Sequence, residues 1–342
     1  MVTNASTQVP PAARPVASTV AELLVGAGSP QPMEAADSKS GARFERVLIE
    51  GRPHVVKYLH VDDDWIMRSS GDLGGRPLLV WRSGLLDQLP GCIDHAVVGA
   101  AAGLGRSGWG VALLMRDVSP WLVPPGDDPV PLDQHLAFME HMAALHAEFW
   151  GWTDTLGLLP GYHRYIEFNP ASMAMELARP RPDAVPPLIV EGWRRFPALA
   201  GRIGPGVLDL VRDPSPLVEA MAAGPQTLLH GDWKMGNLGT GPDGRTVLLD
   251  WAMPGQGSPL ADLAWYLAIN SARLPHGKED AIDAYRRALG GHAITTDGWW
   301  QRAVDLALLG SLVNFGWEKA LGGPGPELGW WLDRGREGLR WL

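Results

Sequence analysis

Side chains that can accept protons and bind cations cluster in one stretch of the sequence, TLLHGDWKMGNLGTGPDGRTVLLDW at 227–251. Asp232 precedes Asn237 by five residues, and Asp250 ends an apolar run thirteen residues after Asn237. An aspartate can accept the proton of a hydroxyl group, and carboxylate and amide oxygens are the hard ligands that Mg²⁺ prefers. The stretch therefore predicts a site in which a base accepts the proton of a hydroxyl group close to a bound magnesium ion.

The order of these residues is also a known pattern. His230, Asp232 and Asn237 form H-x-D-x4-N, which is the spacing of kinase catalytic loops. Asp and Asn often cap backbone groups in tight turns, so a polar turn is the alternative for each residue taken singly. The complete pattern, followed by a strand that ends in Asp250, favours kinase-like chemistry.

The longer stretch LLHGDWKMGNL…VLLDWAMPGQGSPLADLAWYL resembles the aminoglycoside phosphotransferase and choline kinase-like superfamily. The segment MAALHAEFW at 142–150 is similar to a helix of the same superfamily. The resemblance covers about residues 40–335 and is closer in the C-terminal part. It implies a two-lobed kinase-like fold with the nucleotide between the lobes. It also implies ATP-dependent phosphorylation of a hydroxyl group on a small molecule.

The resemblance assigns roles by position. Asp232 becomes the catalytic base, and Asn237 and Asp250 become the Mg²⁺ ligands. Lys234 stands where some kinases have a lysine that faces the transferred phosphate, and a solvated surface lysine is the alternative. His230 joins the catalytic group, where we expect it to brace the loop rather than to transfer protons.

Asp262 in SPLADLAWYL resembles the helix aspartate that ties down the catalytic-loop backbone in this superfamily. A simple interaction of its charge with the start of the helix is the alternative, and both can hold.

Lys57 is the candidate for phosphate contact in the N-terminal part, because it follows two β-branched residues in HVVKYL. This is the context of the V-A-I-K lysine of kinases, so the resemblance implies contact with the α- and β-phosphates. A solvated lysine at a strand edge is the alternative. The helix glutamate that should pair with such a lysine is missing, and only Asp87 or Asp72 is available nearby.

Two further segments are expected to contact the nucleotide. VALLMRDV resembles the strand that leads to the hinge of the superfamily, so its last backbone groups, at 115–118, should bond adenine. The phosphate-covering loop should lie near DSKSGARF at 37–44, which has one glycine where several are typical. The predicted contact residues are Met115, Arg116, Val118, Ser40 and Gly41.

These side chains need a small β-rich lobe to position them. FERVLIEG and RPHVVKYLHV predict two strands around a turn at 50–52, and AVVGAAAGLG and WGVALLMRDV predict another strand pair. Between the pairs, PLLVWRSGLLDQLP has helical spacing interrupted by Gly84. We therefore predict an N-terminal nucleotide-binding lobe at 18–118, preceded by a disordered tail at 1–17.

From about residue 131 the pattern becomes helical, starting with the amphipathic segment PLDQHLAFMEHMAALHAEFWGW. Further helices are predicted around 186–198, 206–222, 259–271, 279–289, 298–320 and 326–341. One hairpin with its turn at 241–244 interrupts them. The prediction is an α+β, protein-kinase-like fold with a larger helical lobe at 119–342, which carries the catalytic loop and the acceptor site.

The composition limits the partners and the compartment. The chain has 342 residues, more than one compact core usually holds. A net charge of −9 and a pI near 5.6 disfavour nucleic acid and anionic membranes as partners. Cys92 is the single cysteine, so an internal disulfide is excluded. No signal peptide or bilayer-length apolar run is visible, and we expect a cytoplasmic protein.

Two patterns imitate binding sites. The segment GLGRSGWG at 103–110 contains the G-x-G-x-x-G spacing of dinucleotide sites, but a strand rather than a helix follows it. His135, His141 and His146 share a helix, but their separations of six and five residues put them on different faces. A zinc site on this helix is therefore disfavoured.

The sequence leaves the acceptor and the oligomeric state open. About ten residues separate Asp250 from the SPLADLAWYL helix, too few for the activation segment of a protein kinase. A kinase-like nucleotide-binding protein with little or no catalysis stays as the alternative, because the helix glutamate is missing. The acceptor could be an aminoglycoside, an amino alcohol or a sugar-like molecule. Tryptophans of the C-terminal part would suit a quaternary amine and its carboxylates a polycationic aminoglycoside, but helix packing explains most of these tryptophans equally well.

Overall fold

The computed structural model describes residues 13–34, 40–103, 110–180 and 183–342. It confirms the predicted two-lobed α+β fold. The strands of the smaller, N-terminal lobe are β1 (Gln31–Met33), β2 (Arg43–Ile49), β3 (Arg52–Leu59), β4 (Ile93–Asp94), β5 (Val97–Ala102) and β6 (Val111–Arg116). Five of them form an antiparallel sheet in the order β1-β2-β3-β6-β5. Strand β3 lies in the middle of this sheet, which places Lys57 over the interior of the lobe.

The two strand pairs predicted for this lobe are present. In the turn between β2 and β3, Glu50 and Gly51 have left-handed φ angles of 49° and 73°, as two-residue hairpins require. The glycine-containing segment between β5 and β6 includes residues 104–109, which lie outside the described residues. The antiparallel pairing of β5 with β6 agrees with a hairpin rather than with a dinucleotide-binding turn.

Three short helices accompany the sheet: α1 (Val20–Leu23), α2 (Trp65–Ser69) and α3 (Arg76–Arg82). The predicted helical segment ends where Gly84 takes a left-handed φ of 71°, and a 3₁₀ turn at Leu85–Gln88 follows. Helix α2 was not predicted, because five residues are too few to show a helical period.

The N-terminal tail differs from the prediction in part. Residues 1–12 lie outside the described residues, but residues 13–17 are packed against the lobe. The Trp81 indole N–H donates to the carbonyl of Pro15 at 2.8 Å, and the N–H of Ala17 donates to the carbonyl of Ala100 at 2.9 Å. These contacts attach the chain to α3 and to the outer strand β5.

The larger lobe contains the helices α4 (Leu132–Glu148), α5 (Gly161–Arg164), α6 (Pro170–Leu177), α7 (Val185–Leu199), α8 (Gly204–Arg212), α9 (Ser215–Ala222), α10 (Leu260–Ile269), α11 (Lys278–Gly291), α12 (Trp300–Leu321) and α13 (Pro326–Leu339). Helix α12 is buried along most of its length and packs against α7, α10 and α13. It is therefore the central helix of this lobe.

One predicted helix, at 206–222, is two helices in the structure. Asp213 is extended, with φ −141° and ψ 98°, and it precedes Pro214. A proline disfavours helical conformation in the residue before it and has no N–H to donate. The break therefore follows from Pro214, and α9 starts a new direction of the chain.

Four short strands complete the larger lobe: β7 (Thr227–Leu229), β8 (Leu238–Thr240), β9 (Thr246–Leu248) and β10 (Gly255–Gly257). Strands β8 and β9 form the predicted hairpin, whereas β7 pairs with β10. Strand β4 pairs with β9 in parallel and so joins the two lobes at the hairpin. Among the described residues, no helix is both long and apolar enough to cross a bilayer.

Candidate active site

A cavity of about 550 Å³ separates the two lobes. Its wall contains eight of the predicted site residues: Ser40, Lys57, Met115, Arg116, Asp232, Lys234, Asn237 and Asp250. The structure thus brings together side chains that lie far apart in the sequence. Three predicted residues, Gly41, Val118 and His230, are not part of this wall.

Lys57 pairs with Asp250 in the cavity, with 2.7 Å between Nζ and Oδ1. The ammonium group comes from the middle of β3, and the carboxylate follows β9 of the other lobe. Neither carboxylate that the sequence offered as a partner is used. Asp87 forms an ion pair with Arg14, and Asp72 accepts backbone N–H groups at the start of α3. The link between the lobes is therefore a direct lysine–carboxylate pair.

Asp64 is a site residue that the sequence analysis missed. It is the N-cap of α2, where it accepts the N–H of Met67 at 3.0 Å, and it also lines the cavity. Burial raises the pKa of the Asp64 carboxyl to about 6, against the lowering effect of the Lys57 charge and a hydrogen bond from Ser40. The only sequence signal was an Asp in an N-cap position before a short apolar segment.

Asp232 is held on both of its carboxylate oxygens. Oδ1 accepts the indole N–H of Trp265 at 3.0 Å, and Oδ2 accepts the Asn237 amide at 2.8 Å. Lys234 places Nζ 2.8 Å from the same Oδ2. Trp265, on α10, was counted in the sequence only as one of several possible lining tryptophans. These contacts fix the carboxylate and leave it at the cavity wall.

Asn237 and Asp250 present oxygen atoms that suit a hard cation. Both amide hydrogens of Asn237 are donated to Asp232, so Oδ1 is the amide atom left for a ligand. Burial opposes the charge of Asp250, but the Lys57 ammonium group outweighs this effect and lowers the pKa of the carboxyl. Over the described ranges, no group of three or more His, Cys, Asp and Glu side chains forms a metal site. Two protein ligands are what Mg²⁺ usually takes when phosphate oxygens complete its shell.

The loop that carries Asp232 is fixed from behind. Asp262, on α10, accepts the N–H groups of His230 and Gly231, each at 2.8 Å. These are the backbone contacts that the resemblance implied for Asp262. Gly231 has φ 83°, and a Cβ at this position would lie 1.9 Å from the Met253 carbonyl oxygen. Only glycine fits the loop at this point.

His230 lies behind the loop and is fully buried. Its Nε2–H donates to the Leu249 carbonyl at 3.0 Å, and its Nδ1 accepts the N–H of Asp232 at 3.2 Å. Burial lowers the pKa of the imidazole, which agrees with this neutral form. Since His230 does not reach the cavity, the geometry makes it a positioning residue.

His146 has a role that the sequence analysis did not foresee, because it was considered only as a zinc ligand. Its Nε2 lies 3.3 Å from Asp262, and its Nδ1 lies 2.6 Å from the hydroxyl of Tyr285. The MAALHAEFW helix thus supports the aspartate that holds the catalytic loop. The other two histidines of the pattern have separate partners: His135 bonds Tyr266 and His276, and His141 bonds Thr246.

The hinge segment at 115–118 has only some of its backbone groups available. The N–H of Arg116 donates to Ala96, and the N–H of Asp117 donates to Pro53. Val118 is buried in the core and not in the cavity wall. The wall near this segment includes the apolar side chains Val55, Leu122, Val123 and Leu249. Apolar side chains of this kind can pack against an aromatic ring.

The phosphate-covering segment is described only from Ser40 onwards, because residues 35–39 lie outside the described residues. Gly41 has φ 89°, and a Cβ there would lie 2.2 Å from the Asp63 carbonyl oxygen. This glycine is therefore required for close packing of the segment against the start of α2.

Comparisons with known proteins agree with this geometry. Residues 120–299 match the phosphotransferase enzyme family. The fold is similar to that of the choline kinase LicA from Streptococcus pneumoniae, with a TM-score of 0.52 and 13% identity over 94% of this chain and 97% of that one. It is also similar to a microcompartment-associated aminopropanol kinase, with a TM-score of 0.51 and 12% identity over 91% and 90%. Among curated protein sequences, none matches significantly. Since the family match spans more than half of the sequence, the chain belongs to the phosphotransferase enzyme family.

Proposed function

We propose that this protein transfers the γ-phosphate of ATP to a hydroxyl group of a small molecule. The observation that carries the proposal is the meeting of four groups in one cleft. Lys57 comes from the smaller lobe, and Asp232, Asn237 and Asp250 come from the larger lobe. A cation, a fixed base and two hard oxygen ligands are the groups that phosphoryl transfer needs.

The nucleotide is proposed to lie across the cleft. Its base would rest on the apolar wall beside Met115, where remaining backbone groups of the hinge segment can bond its edge. Its phosphates would reach Lys57, whose ammonium group is buried and carries a positive charge to neutralise them. The lysine would then leave Asp250, which frees that carboxylate for a cation.

Mg²⁺ would be held by Asn237 Oδ1 and Asp250, and the donor set of the site fits it. Both atoms are hard oxygens, and the carboxylate carries its negative charge at neutral pH because of Lys57. When bound, the ion neutralises charge on the phosphate oxygens. Trp265 and Asn237 orient the base Asp232, and Asp262 holds the backbone of the catalytic loop.

Asp232 is proposed to orient the acceptor hydroxyl and to receive its proton. The acceptor oxygen forms a bond to the γ-phosphorus while the bond from that phosphorus to the bridging oxygen of ADP breaks. The proton of the hydroxyl passes to the Asp232 carboxylate, which Trp265 and Asn237 hold in place. Lys234 stands beside the same carboxylate and is proposed to face the transferred phosphate.

An amino alcohol is the acceptor that we propose among the three classes left open. The Trp265 ring, whose N–H bonds Asp232, packs against Phe315 at 4.7 Å and Phe168 at 6.2 Å. These three rings are buried and are not part of the cavity wall, so the choice of acceptor rests on the comparisons. The two similar structures named above are those of a choline kinase and an aminopropanol kinase.

The alternative is a nucleotide-binding protein with little catalysis. Its support was the missing glutamate partner for Lys57 and the single glycine of the phosphate-covering loop. Once Lys57 leaves Asp250, Asp64 is the nearby carboxylate proposed to take the place of that glutamate. The two proposals predict different metal dependence. If the protein is a catalyst, ATP with Mg²⁺ should raise its thermal stability more than ATP alone does. If it only binds nucleotide, adding Mg²⁺ should give no further increase in thermal stability.

The compartment and the partners are proposals from composition. The single cysteine favours the cytoplasm. The net charge of −9 favours a nucleotide and a small molecule as partners, rather than nucleic acid or a membrane.

The test of the function is ATP turnover against a panel of amino alcohols, aminoglycosides and sugars. Asp232→Asn is the matched variant, because it keeps the shape of the side chain and removes the base. We expect the variant to bind ATP like the wild type and to lose turnover by about 100-fold or more, as expected for loss of a general base. Turnover equal to that of the wild type would refute the role of Asp232, and no turnover by the wild type with any acceptor class would refute the proposed reaction.

A further inference from the structure

The segment that carries Asp250 has an unfavourable backbone conformation. Asp250 has φ 63°, in the left-handed region that residues with a Cβ rarely enter, although Asp and Asn do so more often than the others. A turn at Trp251 and Ala252 follows directly. Such a conformation persists only when neighbouring groups fix it. The neighbours that do so are therefore important for the direction of the Asp250 carboxylate.

The first such neighbour is Arg76 of the smaller lobe. It is the first residue of α3, and its side chain is buried. Its guanidinium donates to the Ala252 carbonyl at 2.6 Å and to the carbonyl and hydroxyl of Ser70 at 2.8 and 2.9 Å. Burial lowers the pKa of the Arg76 guanidinium, and the neighbouring charge of Asp72 offsets only part of this effect. Arg76 thus connects α3 to the turn after Asp250.

The second neighbour is Arg164, which comes from α5 of the larger lobe and is also buried. Its guanidinium donates to the Met253 carbonyl at 3.2 Å. It fits closely against two glycines, since a Cβ on Gly231 would lie 2.6 Å from its Nη1 and a Cβ on Gly255 would lie 3.2 Å from its Nη2. The catalytic loop and the turn after Asp250 are therefore packed around the same side chain.

Two buried arginines from opposite lobes thus bond consecutive carbonyls of one turn. A buried arginine can satisfy its donors on any carbonyl, so stabilisation of the fold alone would not require this choice. The choice has a consequence for Asp250, because fixing the carbonyls of Ala252 and Met253 fixes the peptide planes that follow it. The contact from Arg76 also requires α3, and hence the smaller lobe, to be in place.

We propose that Arg76 and Arg164 are positioning residues that hold Asp250 in the conformation in which it ligates a divalent cation. The proposal rests on the proposed function, because it assigns a metal to Asp250. In this arrangement the cation site is complete only when α3 of the smaller lobe is seated on the turn of the larger lobe.

The test compares Arg76→Met with Arg82→Met. Arg82 is on the same helix but is exposed, so its substitution controls for the loss of a charge from α3. ATP binding is measured by calorimetry without metal and at increasing Mg²⁺ concentrations. We expect Arg76→Met to need at least tenfold more Mg²⁺ for half-maximal enhancement of ATP binding, with metal-free ATP affinity within about twofold of wild type. Arg82→Met should match the wild type in both measurements.

A second readout needs neither metal nor nucleotide. Hydrogen–deuterium exchange of the backbone amides at 250–253 should become faster in Arg76→Met and stay unchanged in Arg82→Met. Should Arg76→Met fail to fold, Arg76→Lys keeps the charge and can replace only some of the donors. This variant should show the same two effects at smaller size.

The outcomes separate the two proposals. Equal Mg²⁺ dependence of ATP binding in the wild type and in the Arg76 variants would overturn the positioning role alone. A wild type whose ATP binding does not respond to Mg²⁺ would overturn both the positioning role and the proposed function. A raised Mg²⁺ requirement in the Arg76 variants, without it in Arg82→Met, would support the inference.

Discussion

Glu167 allows a sharp test of the electrostatics behind the catalytic loop. The side chain is completely buried between α5 and α6, and neither carboxylate oxygen has a hydrogen-bond partner among the described residues. Burial raises the pKa of Glu167 to about 8, although the charge of Arg164 acts against this rise. The carboxyl therefore keeps its proton at neutral pH in the folded protein.

The sign of the effect on stability follows from this pKa. The unfolded chain loses the proton near pH 4.5, whereas the folded protein keeps it up to about pH 8. The contribution of Glu167 to the free energy of unfolding should therefore be highest below pH 4.5 and decrease as the pH rises to about 8. At about 1.4 kcal/mol for each pH unit, the total decrease from this group is at most about 5 kcal/mol.

Glu167→Gln should remove this decrease, because the amide has the same shape and no proton to lose. Urea unfolding is measured at pH 5, 7 and 9, with Glu219→Gln, an exposed site on α9, as the control. At pH 5 we expect the variant to be within about 1 kcal/mol of the wild type, and at pH 9 to be several kcal/mol more stable. A variant that is less stable by the same amount at every pH would refute the reasoning, since it would mean that Glu167 is charged and paired with Arg164.

Two further predictions concern contacts that are visible only in the fold. Asp64→Ala should lower the free energy of unfolding by about 1 kcal/mol, because the Met67 N–H at the start of α2 loses its cap. Asp64→Asn should retain most of the stability that the cap contributes, since an Asn side chain can also accept this N–H. Equal stability of the two variants in urea unfolding would contradict the capping role. Trp265→Phe should lower kcat by about tenfold or more with ATP affinity unchanged, because Asp232 loses a charge-assisted hydrogen bond. An unchanged kcat would show that this bond does not orient the base.

Local patterns explain what the sequence could predict. Asp232 and Asn237 are joined by a short loop, and Asp250 follows a strand of the same hairpin, so their proximity was readable from spacing alone. The two-lobed fold followed from strand-like alternation before residue 118 and from helical periods after it. Lys57 was recognisable because the strand around it is rich in β-branched residues.

Long-range packing explains what was missed. Lys57 and Asp250 are 193 residues apart, and their pairing depends on how the two lobes meet. The same holds for Arg76, whose partner carbonyl lies 176 residues further along the chain. Asp64 was missed for a different reason, since its helix has too few residues to produce a periodic pattern. No local signal distinguishes such residues from ordinary surface charges.

The most direct test of the account is a crystal structure with a non-hydrolysable ATP analogue and Mn²⁺ in place of Mg²⁺. Anomalous scattering locates the metal independently of the protein contacts. The account predicts a metal peak between Asn237 Oδ1 and the Asp250 carboxylate, with Lys57 Nζ on the phosphates rather than on Asp250. A metal bound elsewhere, or a nucleotide that leaves the Lys57–Asp250 pair intact, would contradict it.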